Sequence, residues 1–556
     1  MTLFGRSLDR FPFHLLNLAA SKLAGGNTGR LRSHLVRGIL EMNHEFAASL
    51  RRGVPSHPCC RPLFMRNLSC GAPRAGLNNS VETWLSESAF GFGAIIAAME
   101  ETDRAAADSP QMLELLRESD GAVPEFGAPP SRTAAPIAKL SIGAPGSPPP
   151  RILVDKEIEL LSTKDPADLR SLYAYLPGPG SAQTLGAIAR RYGEQFGVRI
   201  SRSEVMMLAS CKSAIFTFLL AVLNPGEEVG GMTPEFPMHR SVPEILGHRY
   251  VSWEPRIDRG KFTYAVADLA CLLRTHPRMR VLILSYPGNP APFMFSEEDL
   301  REIVDLCLRS GVRIYVDAPY HEIIYPQIPG NRYPNIFRAH PAARDICVVS
   351  LSESKRLAVP GRRIGYLIAP EGIIRAMTRL AINFWSCPNS LNDRLMQWAY
   401  GDGYDAIVAW VRDEAAKYGE KAAHTFGRLK ELEADGLLHI EQPRGGFYAF
   451  PILTPDFLGC AGMKALAGRG LEGVRGLAIY LLLVYKTAAI PGTSFADPKS
   501  FVGRSGIRIS FAGRRVEDVA VGLERFCGAL RSLKTGTVFG IPEKYGNHVD
   551  ELLAVL

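Results

Sequence analysis

Between about Ala138 and Phe526, short apolar runs alternate with stretches of helical periodicity. RVLILSYP (280–287), RIYVDAPY (313–320), ICVVSLS (346–352) and RIGYLIAP (363–370) read as buried strands closed by turn residues. Helical segments lie between them, among them SEEDLREIVDLCLRSG (296–311). Apolar runs bounded by turns and separated by helices predict βαβ units and a mostly parallel sheet. Further on, GGFYAFPIL (445–453) and GIRISFA (506–512) bracket helical sequence, which predicts a smaller α+β domain. LAIYLLLVY, near residue 480, is apolar on every side and fits a buried strand or a buried helix. It is too short to span a bilayer, and no apolar run reaches the length that a membrane span needs.

Residues 1 to about 135 lack sustained periodicity and end in GAVPEFGAPPSRTAAP, which reads as a linker. Charge is uneven there. Residues 1–80 hold eleven basic and three acidic residues, whereas 81–130 hold two basic and ten acidic. The basic character that would suit nucleic acid is therefore concentrated in the first eighty residues. RLRSHLVRGILEMNHEFAASLRRG (30–53) reads as one or two helices with basic ends and carries no helix-turn-helix pattern. Ten cysteines in 556 residues make no disulfide framework, and no Cys/His spacing suggests zinc. Free thiols and a reducing, cytoplasmic setting are the expectation.

The densest chemical signal is SLSESKRLAVPGRRIGY (350–366), where Lys355 follows a hydroxyl-rich strand end. A lone lysine beside serines is ordinarily a solvated loop residue. Its partners change that reading: Asn289 in YPGNPAPF, Asp317 and Tyr320 in YVDAPYHEIIY, Arg363, and Arg508 in GIRISFA. The first three close or follow strand-like runs, where open α/β sheets place their ligands.

In type and order these residues resemble the class I/II aminotransferases, a family of fold-type I enzymes dependent on pyridoxal phosphate. The resemblance covers about residues 138–530 and implies an α/β fold with a mostly parallel central sheet in a large domain and a smaller α+β domain. It divides the chain into an extension (1–135), an arm (136–180), a large cofactor domain (181–375), a small domain (376–535) and a tail (536–556). It also implies a Schiff base on Lys355, whose pKa the site must depress. Asp317 would pair with the ring nitrogen, and Asn289 and Tyr320 with the phenolic oxygen. Ser210, Cys211 and Lys212 open the helix that would cradle the phosphate, helped by Ser352, Arg363 and, less firmly, Ser354. Phe236 would stack on the ring. Arg508 would grip the substrate α-carboxylate bidentately, with Gly143 approaching it. Tyr175 resembles the tyrosine given to the neighbouring subunit's phosphate, which implies a homodimer with shared sites.

The chain departs from the family pattern in places. NPAP stands for NPTG, Ala318 for an acidic residue, charged Glu353 for an aromatic or small one, and Cys211 and Lys212 for Gly and Ala. An aminotransferase acting on an α-amino acid and a keto acid is the leading expectation. Lyase, synthase, decarboxylase or oxidase chemistry on the same site stays open, as does a transcriptional regulator with a winged helix before residue 130. For the extension, a cap on the catalytic region, a targeting segment and a DNA-binding domain are the three readings.

Overall fold

A computed structural model describes Met99 and residues 136–513, 515–542 and 545–555. These all fall within one compact unit, 75–556. The readings of the 1–135 extension thus lie outside the described residues.

Seven strands form the central sheet: β1 (Val205–Leu208), β2 (Glu228–Met232), β3 (Arg249–Trp253), β4 (Met279–Ser285), β5 (Arg313–Asp317), β6 (Cys347–Ser352) and β7 (Gly365–Ile368). Their spatial order is β1-β7-β6-β5-β4-β2-β3. Only β7 runs antiparallel, to β1 and β6; the remaining pairs are parallel. Parallel strands are covered on both faces, so β4 is apolar from Val281 to Leu284 and β6 from Cys347 to Val349 rather than alternating.

β2 has the sequence EVGGM, poor in strand formers. Its glycines leave room for neighbouring side chains. A Cβ on Gly231 would lie 2.2 Å from the Tyr250 hydroxyl, and one on Gly230 2.6 Å from the sulfur of Met279.

Helices α1 (Cys211–Val222), α2 (Met238–Ile245) and α3 (Glu297–Ser310) follow the sheet strands. α3 begins where Ser296 Oγ accepts the Asp299 N–H at 3.0 Å, and it ends at left-handed Gly311. Leu300, Ile303, Val304 and Cys307 form its buried stripe. A one-turn helix, α4 (Glu353–Arg356), follows β6 directly and carries Lys355.

Beyond the central sheet, α5 (Tyr404–Ala434), α6 (Gly473–Tyr485) and α7 (Val516–Lys534) pack beside a three-stranded sheet. Ile507–Ser510 is the middle strand, flanked by Tyr448–Ala449 and Ile490–Pro491. LAIYLLLVY is therefore helix, buried throughout as part of α6. GGFYAFPIL is not one strand: Pro451 separates Tyr448–Ala449 from Ile452–Leu453, because proline has no N–H to give a ladder. Ala138–Lys139 pairs in parallel with Thr487–Ala488. The C-terminal tail also has structure. Gly546–Val555 is helical, and Tyr545 and Leu552 are fully buried. Among the described residues, no helix is long and apolar enough to cross a membrane.

Candidate active site

The carboxyl ends of β2, β4, β5 and β6 open toward one edge of the sheet, and the chemistry gathers there. β5 ends on Asp317, which is 8% exposed. One of its oxygens, Oδ2, lies 3.1 Å from Nε2 of His239 on α2. The other, Oδ1, is buried and accepts no hydrogen bond among the described residues. A buried carboxylate oxygen left in this way costs free energy unless a donor arrives. A protonated ring nitrogen is such a donor.

β6 ends on Ser352, whose Oγ accepts from the Ser354 N–H at 3.2 Å and so starts α4. Three residues after Ser352, Lys355 Nζ donates to the carbonyl of Gly143 at 2.6 Å. Burial pushes its pKa down to about 8, helped by the charges of Lys212, Arg508 and Arg363. Ser354 Oγ is buried without a partner among the described residues.

The start of α1 lies beside these groups. Ser213 Oγ donates to the Ser210 carbonyl at 2.8 Å and receives the Ser210 N–H at 3.2 Å. Gly365 must be small here, since a Cβ would meet Ser210 Cα at 3.0 Å. Lys212 Nζ stands 5.6 Å from the centre of the Phe236 ring, and burial and Arg363 both pull its pKa down. Arg363 adopts φ 56° and donates from Nη1 to the Pro360 carbonyl at 2.8 Å. Burial, then the charge of Asp317, pushes the Cys211 thiol well up, so this cysteine is no ready thiolate.

Arg508, on the middle strand of the small sheet, is 9% exposed. Its Nη1 donates to Asn289 Oδ1 at 2.9 Å and its Nη2 to the Ser141 carbonyl at 2.6 Å. Nε is buried without a partner among the described residues. The guanidinium lies between two aromatic rings, 4.6 Å from Tyr448 and 4.8 Å from Phe495. Tyr320 Oη is 3.0 Å from Tyr448 Oη. Lys355, Gly143, Arg508, Asn289, Tyr320 and Tyr448 are thus linked by direct contacts. Tyr175 differs, being 88% exposed.

The sequence reading missed several contributors. His239 stands three residues after Phe236, and Tyr448 lies in the strand that pairs with the one carrying Arg508. A buried ionic cluster also escaped it. Arg356 bonds both Glu322 and Glu353, and the Tyr400 hydroxyl donates to Glu353 at 2.7 Å.

The sequence model of the family described as aminotransferase class I and II matches residues 135–526. The chain belongs to this family. Class I/II aminotransferases depend on pyridoxal phosphate, and this chain is a pyridoxal-phosphate-dependent aminotransferase. Its curated relatives include an aspartate aminotransferase of Rhizobium meliloti, 26% identical over 64% of this chain and 81% of that protein. Another, from Geobacillus stearothermophilus, is 25% identical over 68% of this chain and 87% of its own length. Among solved structures, the aromatic aminotransferase of Pyrococcus horikoshii superposes with a TM-score of 0.61 at 24% identity. That match covers 72% of this chain and 96% of the other and bears on the fold. The aminotransferase cofactor suits the residues present: a buried acceptor without a donor, a lysine of lowered pKa, and several cations for its phosphate.

Proposed function

We propose that this cleft transfers the amino group of an α-amino acid to a keto acid, with Lys355 as the covalent anchor and proton carrier. Bound pyridoxal phosphate supplies an aldehyde for attachment and a ring that accepts the electron pair released at Cα. The observation that carries the reading is the lysine itself: a half-buried amine of pKa about 8, crowded by Lys212, Arg363 and Arg508. Such an amine is neutral in a useful fraction near neutral pH and able to attack a carbonyl or take a proton.

The other roles follow from chemistry. Asp317 holds the ring N–H through the oxygen left free beside His239, which favours charge accumulation in the ring. Asn289 and Tyr320 would hold the phenolic oxygen, and Phe236 would cover the ring face. The phosphate takes the N–H groups opening α1 at Ser210, Cys211 and Lys212, the hydroxyl of Ser352, and the charges of Lys212 and Arg363. Arg508 presents its fork to the substrate α-carboxylate near Gly143. Lys355 Nζ then takes the proton from Cα and redelivers it.

We infer a homodimer, because Ile158, Leu161, Leu169, Tyr173, Tyr175, Ile382 and Phe384 are exposed. The described cysteines are free, which supports a cytoplasmic setting. Aspartate heads the panel of donors to test, since curated relatives are named for it. The test mixes purified protein, cofactor, and amino acids paired with keto acids. Formation of the matching keto acid supports transfer; release of ammonia, carbon dioxide or peroxide instead would overturn it.

A further inference from the structure

We propose that Tyr448 is a positioning residue that couples the arginine reading the carboxylate to the tyrosine facing the cofactor's phenolic oxygen. The inference rests on the roles given above to Arg508 and Tyr320, and it concerns a side chain that neither bonds the cofactor nor binds the substrate in that scheme.

Three contacts converge on this one buried residue. In the antiparallel pairing of Tyr448–Ala449 with Ile507–Ser510, Tyr448 stands opposite Ser510. Arg508, two residues from Ser510, is its diagonal neighbour on the same face. The ring therefore lies under the guanidinium, 4.6 Å from Cζ, and forms one wall of a slot completed by Phe495. That slot restricts the plane in which Arg508 presents its fork, while Asn289 and Ser141 take two of its N–H groups.

The hydroxyl makes the second contact, at 3.0 Å from Tyr320 Oη. Each phenol owns a single proton. If Tyr320 gives its proton to the cofactor's phenolic oxygen, the bond between the tyrosines must be donated by Tyr448. A hydroxyl that accepts a hydrogen bond becomes a stronger donor, because bonds in a chain polarise one another. Tyr448 thereby strengthens the stabilisation of a negative phenolic oxygen.

The third contact is steric. A Cβ on Gly143 would sit 1.8 Å from Tyr448 Oη. The hydroxyl occupies the space a side chain there would need, and the Gly143 carbonyl is the acceptor that holds Lys355 Nζ at 2.6 Å. A side chain at 143 and this hydroxyl in its present place exclude one another.

The test uses the holoenzyme and separates hydroxyl from ring. Tyr448→Phe keeps the aromatic wall and deletes the donor. The pH midpoint of the bound cofactor's visible absorbance should rise by about one unit, as expected for losing one hydrogen bond that favours the anion. The KM for the amino acid and the affinity for a simple carboxylate such as propionate should stay within about twofold, since the ring remains under Arg508. Tyr448→Leu should show the same midpoint shift and, in addition, weaken propionate binding about fivefold to tenfold. Tyr320→Phe serves as the reference: its midpoint should rise at least as far, and Tyr320→Phe/Tyr448→Phe should match it, because the pair acts in series. A midpoint that moves in Tyr320→Phe but not in Tyr448→Phe overturns the coupling and leaves the active-site reading intact. A midpoint unmoved in both overturns the role of Tyr320 as well.

Discussion

Asp317 and His239 meet at 3.1 Å through Oδ2 and Nε2, and this contact leaves Oδ1 of the carboxylate as a buried acceptor with no partner among the described residues. A carboxylate only accepts, so Nε2 of the imidazole carries the proton in this pair. The histidine engages one oxygen, and the other is the one proposed to meet the cofactor's ring nitrogen. An effective dielectric near 20 makes a contact ion pair worth about 4 kcal/mol. Asp317→Ala should therefore lower kcat about a thousandfold. His239→Leu should cost about tenfold to a hundredfold, the value of a hydrogen bond to a charged group. His239→Gln, which retains a donor, should fall between it and the wild type. Steady-state kinetics on the three variants check the order, and a His239→Leu enzyme as active as the wild type would refute it.

Lys355 gives a pH dependence whose sign is fixed. Burial and the neighbouring cations lower its pKa in the folded apoenzyme to about 8 from the 10.5 of an ordinary lysine. Between those values the unfolded chain binds more protons, so stability of the apoenzyme rises with pH across that window. Below about 8 the full cost of burying a charged amine is present. Lys355→Met should remove the cost, stabilising the apoenzyme at pH 7 by up to about 3 kcal/mol, and should flatten the rise measured by urea unfolding. The neutral amine is also the nucleophile, so the wild-type rate of cofactor uptake should climb as pH increases through about 8.

Strand ends were the legible part of this site. The apolar runs before Asp317 and Ser352 are long enough to declare buried strands, and polar residues at their carboxyl ends declare a ligand edge. Asn289, Lys355 and Arg508 became meaningful through their order and their likeness to a family. His239 and Tyr448 could not be read the same way, because only tertiary packing brings α2 beside β5 and Tyr448 beneath Arg508. β2 lacks a strand signature for a physical reason: the glycines that weaken it locally are the ones that make room for Met279 and Tyr250. The apolar run of α6 had no polar face to reveal a period, since every side of that helix is buried after its first turn. Glu353, a departure from the family pattern, is one half of an ionic contact with its neighbour Arg356.

That contact belongs to a brace between the segments that carry Tyr320 and Lys355. Arg356, with 1% side-chain exposure, is held by Glu322, two residues past Tyr320, and by Glu353, two before Lys355. Removing the cation leaves buried carboxylates without their counterion, which costs about 3–5 kcal/mol. Arg356→Met should lower the unfolding free energy by that amount. Arg356→Met combined with Glu322→Gln and Glu353→Gln should recover much of it, because no uncompensated charge remains. Chemical denaturation of both proteins decides, and equal stabilities would mean the carboxylates find other partners.

Tyr175 permits a test of the proposed sharing of sites that depends on counting subunits. The residue is 88% exposed in the single chain, as suits a side chain that completes a neighbour's site. Lys355→Ala and Tyr175→Ala should each be severely impaired as pure dimers. Co-refolding equal amounts makes half of the dimers hybrids by random pairing. If Tyr175 serves across the interface, both lesions in a hybrid fall in one site and the other site is intact. Activity should then recover to about a quarter of the wild type, half of the sites in half of the dimers. If Tyr175 serves its own subunit, every site in a hybrid carries one lesion and no recovery follows. An assay of the mixture against its two parents distinguishes these outcomes, and absence of recovery in hybrids shown to form by mass spectrometry would refute the sharing.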